Sequence, residues 1–157
     1  MKFNKEIDIK DKLISIESPT FVIAEAGVNH GGDMAVAKKL IDLAADAKAD
    51  AVKFQTFKTE NLILSDIQKA PYQKDTTNAS ESQYDMLKRL EVTREQNLEL
   101  KQYCIDKGII FLTTPFDEES LEELDELDLP AYKVASTDTT NLPFLKKIAK
   151  KGKPIFL

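Results

Sequence analysis

The spacing of apolar positions changes several times along the chain. Ile7 and Ile9 alternate with charged residues, Lys10-Asp11-Lys12 supplies a turn, and Leu13, Ile14 and Ile16 return. That pattern predicts a small hairpin ended by Pro19. From Phe21 the alternation stops. FVIAEA is a continuous apolar run closed by Glu25 and predicts a strand buried on both faces. Gly27, Gly31 and Gly32 form a permissive loop. Asp33 is placed to cap a helix through about Lys48, with Val36, Ala37, Leu40, Leu43, Ala44 and Ala47 at helical spacing. AVKFQ (51–55) predicts a second strand.

A polar stretch over about 58–81 is too long for a casual connection and predicts a functional loop. ESQYDMLKRLE predicts a short helix. Thr93-Arg94-Glu95-Gln96 is a capping box that opens another, ending before Gly108. IIFLTT (109–114), AYKVAS (131–136) and PIFL (154–157) predict three further strands. Between them lie a helix capped by Asp117, with Leu121, Leu124 and Leu127 on one stripe, and a helix opened by Asn141 and Pro143 and ended at Gly152.

A hairpin followed by alternating strands and helices predicts an α/β fold with a parallel sheet. Two architectures fit: an open doubly wound sheet, or part of a (β/α)8 barrel. No GxGxxG or Walker loop follows a strand, which weakens a nucleotide-binding reading. The length is 157 residues, one domain's worth. A complete (β/α)8 barrel needs about 250 residues and rarely fewer than 200.

Composition is that of an ordinary globular chain, 42% hydrophobic and 31% charged, which excludes a disordered tail, a collagen or a coiled-coil rod. A net charge of −5 makes a poor partner for a phosphate backbone, so no nucleic acid is expected. Residues 117–128 are mostly acidic and 146–153 basic, read as two solvated helix faces. The single cysteine, Cys104, excludes an internal disulfide framework and lies in an apolar helical pattern, read as core. It fits a reducing, cytoplasmic setting. No apolar run approaches 18 residues and the first 20 lack an apolar signal region, so neither a membrane span nor a signal peptide is expected.

Parallel sheets place ligands at the carboxyl ends of their strands. Those ends are polar here. Strand one ends in Glu25 and runs on to Asn29 and His30, and strand two carries Lys53 and Gln55. Strand three ends in Thr113 and Thr114, and strand four holds Lys133, Ser136 and Asp138. Burying an ammonium without a partner is expensive. Lys53 and Lys133, with hydroxyls beside them, form a site for a multiply charged anion, with phosphate and carboxylate together the natural guess. The structural alternative is that each lysine pairs with a buried carboxylate such as Glu25. His30 beside the glycines is a satisfied loop histidine as often as a catalytic group, and one histidine makes no metal site.

IAEAGVNHGGD (23–33) with VKFQTF (52–57) resembles the amino-terminal half of the sialic acid (N-acetylneuraminate) synthase family. YQ (72–73), ESQYDMLKRLE (81–91), FLTTPFD (111–117) and YKVAS (132–136) follow in the family order. The resemblance implies a (β/α)8 TIM barrel opened by a hairpin, then a small antifreeze-like domain that caps the partner's barrel in a homodimer. It implies condensation of phosphoenolpyruvate with an open-chain N-acetylated amino sugar, N-acetylmannosamine or a diacetamido-trideoxyhexose. The products are a nonulosonic acid and phosphate, and the family uses Mn²⁺ or Mg²⁺.

Carried over by position, the resemblance assigns Lys53, Thr114, Lys133 and Ser136 to phosphoenolpyruvate and Gln55 to the sugar. Glu25 would be the acid/base or water-orienting carboxylate. Asn29, His30 and Tyr72 are further candidates. Asp138 stands where close relatives usually carry Glu, and the shorter side chain would mark a different sugar, such as a bacillosamine-derived precursor of legionaminic acid. The family's two metal-binding histidines lie in the second half of the barrel, so no metal ligand is expected in this chain. Residues 1–19 are then the hairpin and 20–157 the first half of a synthase barrel, with the second half and the capping domain absent. A fragment of a longer gene product, or a half-barrel that associates with another chain, is expected. The alternatives are a non-catalytic half-barrel that binds phosphoenolpyruvate or a partner, and another barrel enzyme acting on a sugar phosphate.

Overall fold

A computed structural model describes residues 4–64 and 81–157. Strands β1 (Glu6–Ile9) and β2 (Lys12–Ser15) pair antiparallel as the expected hairpin, with Lys10 in the left-handed region at the turn. The chain then alternates: β3 (Ile23–Gly27), α1 (Met34–Asp46), β4 (Ala51–Thr56), α2 (Thr59–Leu62), α3 (Gln83–Leu90), α4 (Arg94–Asp106) and β5 (Ile110–Pro115). It continues with α5 (Glu118–Asp125), β6 (Tyr132–Lys133), a 3₁₀ turn (Ser136–Asp138), α6 (Leu142–Ala149) and β7 (Ile155–Phe156). Strands β3, β4 and β5 form one parallel sheet in that order, and β6 pairs parallel with β7. Among the described residues no helix is long and apolar enough to cross a membrane.

The two faces of the sheet have different covers. Ala24, Val52, Phe54, Phe111 and Tyr132 point one way and pack with Ile41 of α1, Leu100 and Cys104 of α4, Leu121 and Leu124 of α5, and Ile148 of α6. Burial pushes the Cys104 thiol up to about 12, so it is a core group rather than a nucleophile. Ala51, Ile110, Leu112 and Ala131 point the other way, where the hairpin's Ile9 seals them. Helices α1, α4, α5 and α6 therefore lie on one face. The arrangement is singly wound, which removes the doubly wound alternative.

Three local expectations need correction. β3 is not buried on both faces: Ile23 and Ala24 are half-buried and Glu25 is exposed, because among the described residues β3 has β4 as its one strand neighbour. α1 buries Ala37, Ile41 and Ala44, while Val36 and Leu43 are exposed. The fourth strand shortens to Tyr132–Lys133, because the chain turns into the 3₁₀ helix at Ser136.

The caps follow the sequence closely. Asp33 accepts from the N–H groups of Ala35 and Val36, and Thr93 and Gln96 form the reciprocal capping box. Asn141 accepts from Phe144 N–H at the start of α6.

Candidate active site

On the helix-free face the strand residues stack in layers. Ile23, Ala51 and Ile110 share one register and form the apolar floor with Ile9. One step toward the carboxyl ends, Glu25, Lys53 and Leu112 are aligned; beyond them Gln55 faces Thr114. The period of two that buries Ala51 under the hairpin thus aims Lys53 and Gln55 into the same space. Lys133 of β6 reaches that space from the other side, and a cleft of about 410 Å³ lies between them.

Glu25, Asn29, Lys53, Gln55, Thr114, Lys133 and Ser136 all border the cleft. Lys53 is ion-paired with Glu25. Lys133 has no carboxylate partner among the described residues; its ammonium donates to the carbonyl of Val134. The structural alternative thus applies to Lys53 and not to Lys133. The Thr114 hydroxyl is buried at the cleft with no partner among the described residues. An unsatisfied buried hydroxyl costs free energy that a ligand oxygen would recover. An unpaired ammonium, a second ammonium shared with one carboxylate, and a free hydroxyl together suit a multiply charged anion.

Gly27 shapes the mouth of the cleft. The β3–β4 register shifts between Glu25 and Gly27, and Gly27 is left-handed at φ +54°. A Cβ there would stand 3.2 Å from Glu25 Oε1 and 3.4 Å from Gln55 Nε2. Only glycine allows this turn and leaves the two side chains their room.

Two expected residues do not reach the cleft wall. The Asp138 carboxylate accepts from Asn141 Nδ2 at 3.1 Å, in the turn that leads into α6. The 3₁₀ helix that cuts β6 short carries it away from the strand end. His30 is buried under the β3–α1 loop, where its Nδ1 accepts from Gly32 N–H at 3.0 Å and its ring lies 6.1 Å from that of Phe54. Burial lowers its pKa below 6.5. Tyr72 lies outside the described residues. Phe116 and Thr137 also border the cleft. Phe116 directly follows the end of β5, and that position is the signal available for it, whereas Thr137 lies inside the 3₁₀ turn after β6 and has no such signal. Among the described residues no group of three His, Cys, Asp or Glu side chains could hold a metal ion.

The fold and the cleft define an α/β protein with an anion-suited pocket at the carboxyl ends of parallel strands. Residues 40–157 match the NeuB family, and the chain belongs to it. It is 52% identical over 138 residues to N,N'-diacetyllegionaminic acid synthase of Campylobacter jejuni, covering 88% of this chain and 41% of that protein. It is 39% identical over 142 residues to human N-acetylneuraminate-9-phosphate synthase, covering 90% of this chain and 39% of that one. The crystal structure of a sialic acid synthetase from Leptospira borgpetersenii in complex with citrate superposes with a TM-score of 0.79 at 34% identity, over 96% of this chain and 48% of that one. The chain thus spans about two fifths of the length of these curated relatives.

Proposed function

We propose that the chain is the phosphoenolpyruvate-binding half of a nonulosonic acid synthase, with β3 to β7 as the first five strands of a (β/α)8 barrel. The observation that carries this reading is the pairing of Lys53 and Lys133 across one cleft beside the free Thr114 hydroxyl. The single-sided helix layer supports the barrel. The citrate of the Leptospira relative supports a site for a multiply charged carboxylate. The higher identity to a diacetyllegionaminic acid synthase favours a diacetamido sugar over N-acetylmannosamine as the second substrate.

In this reading Lys133 and Lys53 hold the phosphate and carboxylate, and the Thr114 and Ser136 hydroxyls donate to their oxygens. The enol carbon attacks the sugar aldehyde. Water adds to the oxocarbenium-like carbon that results, and the tetrahedral intermediate loses phosphate. The lysines stabilise the charge that develops on the leaving group. Glu25, half exposed at the cleft, orients the water and takes its proton. Gln55 contacts the sugar. Asp138 has no role in this scheme. The divalent metal of the family finds no donor set among the described residues. A homodimer belongs to the proposal for the whole protein.

Calorimetry of the chain with phosphoenolpyruvate tests this. Binding that weakens at least tenfold in Lys133→Gln is expected. No binding to the parent chain at millimolar ligand would reject the reading. The chain alone, given both substrates and Mn²⁺, is expected to release no phosphate above background.

A further inference from the structure

A second cavity, also of about 410 Å³, lies at the opposite pole, where the strands begin. It is independent of the cleft and of the function proposed for it. Three segments distant in sequence supply its charges: Lys10 from the hairpin turn, Lys101 from α4, and Lys153 from the connection into β7. The side chains of Phe111 and Leu129, both buried, form an apolar floor.

The charges do not cancel. Among the described residues Asp128 is the one carboxylate on the wall, and it pairs with Lys153. Lys101 donates to the carbonyl of Leu127, and Lys153 also donates to that of Leu129 at 2.7 Å. These carbonyl contacts hold two ammonium groups in place without neutralising them. Lys10 has no carboxylate partner among the described residues. Three cations against one anion leave a surplus of two positive charges over a hydrophobic base. Sites of this size combine an apolar lining with a few convergent polar groups, and lysines act as point charges toward phosphate or carboxylate.

We propose that this cavity binds a small organic dianion with an apolar body, a phosphate monoester or a dicarboxylate, and that the ligand ties the hairpin to α4 and to the α6–β7 connection. The apolar base selects against inorganic phosphate, and the charge surplus selects against a neutral ring. Because Lys10 sits in the hairpin turn, occupancy holds down β1 and β2 against the rest of the chain.

Phenyl phosphate is the probe, with inorganic phosphate and phenol as controls. Calorimetry is expected to give a Kd on the order of 1 mM for phenyl phosphate and at least tenfold weaker binding for each control. Lys101→Gln should weaken the probe at least tenfold. So should Lys10→Glu, which alters an exposed turn residue and leaves the core intact. Lys133→Gln, in the other cleft, should leave it unchanged. Hydrogen exchange of the Glu6–Ser15 amides should slow when the probe is present. Binding lost in Lys133→Gln but kept in Lys10→Glu would place the probe in the strand-end cleft and overturn the proposal. In the Lys133→Gln background, equal binding of inorganic phosphate, or no binding of phenyl phosphate at about 10-fold above the expected Kd, would overturn it as well.

Discussion

Glu25 and Lys53 face each other in register across β3 and β4, and their ion pair is lopsided. The lysine side chain is 10% exposed and the glutamate 52%. The two partners are therefore not equivalent in the energetics of the fold. Removing Glu25 leaves a buried ammonium without its counter-charge, whereas removing Lys53 leaves a carboxylate that water can solvate.

From this asymmetry, Glu25→Ala should destabilise the chain by about 1–3 kcal/mol, while Lys53→Met, similar in length and next to Leu112, should be close to neutral. Urea unfolding of the two variants measures the difference. Lys53→Met should also weaken phosphoenolpyruvate binding, whereas Glu25→Ala, which removes no group that holds the anion, should keep it. A larger loss of stability in Lys53→Met than in Glu25→Ala would contradict this account of the pair.

The sequence shows which residues meet at the strand ends because a parallel sheet repeats with a period of two and places every carboxyl end at one pole. Lys53, Gln55 and Thr114 follow from that rule alone. Asp138 does not, because two residues of β6 are followed by a 3₁₀ turn, and nothing in AYKVASTD marks where the strand stops. The helical stripe of α1 was offset for a related reason. Ala37 and Ala44 fix the buried side, but Ile41 rather than Leu43 completes it, and an alanine-rich helix offers several apolar faces of similar width. The half-exposure of β3 depends on its neighbours in the sheet and has no local signal. The left-handed turn at Gly27 was visible only as a glycine.

The β3–α1 loop is held by a close approach that also needs glycine. Gly32 is at φ +86°, and a Cβ there would lie 2.4 Å from the Arg89 carbonyl oxygen at the end of α3. Gly31 is at φ +61° with nothing within 4 Å. Gly31→Ala should cost about 1–2 kcal/mol, the backbone strain alone. Gly32→Ala should cost more than that, because the loop or α3 must move. Thermal unfolding of the pair compares them, and equal losses would mean that the Arg89 contact carries no weight.

His30 gives the loop a pH dependence. Its Nδ1 accepts from Gly32 N–H, so the ring carries its proton on Nε2 when neutral. Protonating Nδ1 would set two donors against each other inside a buried site. With the folded pKa below 6.5, the unfolded chain binds the extra proton first as pH falls. Stability is therefore full above about pH 6.5 and declines as pH drops through the folded value, with a slope of at most about 1.4 kcal/mol per pH unit. Carboxylates held low by basic partners, such as Asp42 beside Lys107, act in a more acidic window. In His30→Asn, which keeps an acceptor for Gly32, the decline between pH 6.5 and 5 should flatten. Urea midpoints across that range test it, and an unchanged profile would assign the decline to other groups.

Asp117 joins two connections beside the cleft. One carboxylate oxygen accepts from Ser120 N–H at 2.9 Å, capping α5, and from Asn61 Nδ2 at 3.2 Å. The other accepts from the Ser120 hydroxyl at 2.7 Å and from Lys58 N–H at 2.9 Å. One nearly buried side chain thus fastens the segment after β4 to the helix after β5, behind Phe116 on the cleft wall. A cap alone is worth about 1 kcal/mol. Asp117→Ala also strands the Lys58 N–H and the Ser120 hydroxyl, each costing about 1–3 kcal/mol where water cannot reach. The variant should therefore lose clearly more stability than Thr93→Ala, which removes the cap of α4 at an exposed site. Asp117→Asn keeps an acceptor oxygen and should fall between the two. Chemical unfolding of the three variants sets the order, and a Thr93→Ala loss as large as that of Asp117→Ala would show that Asp117 is only a helix cap.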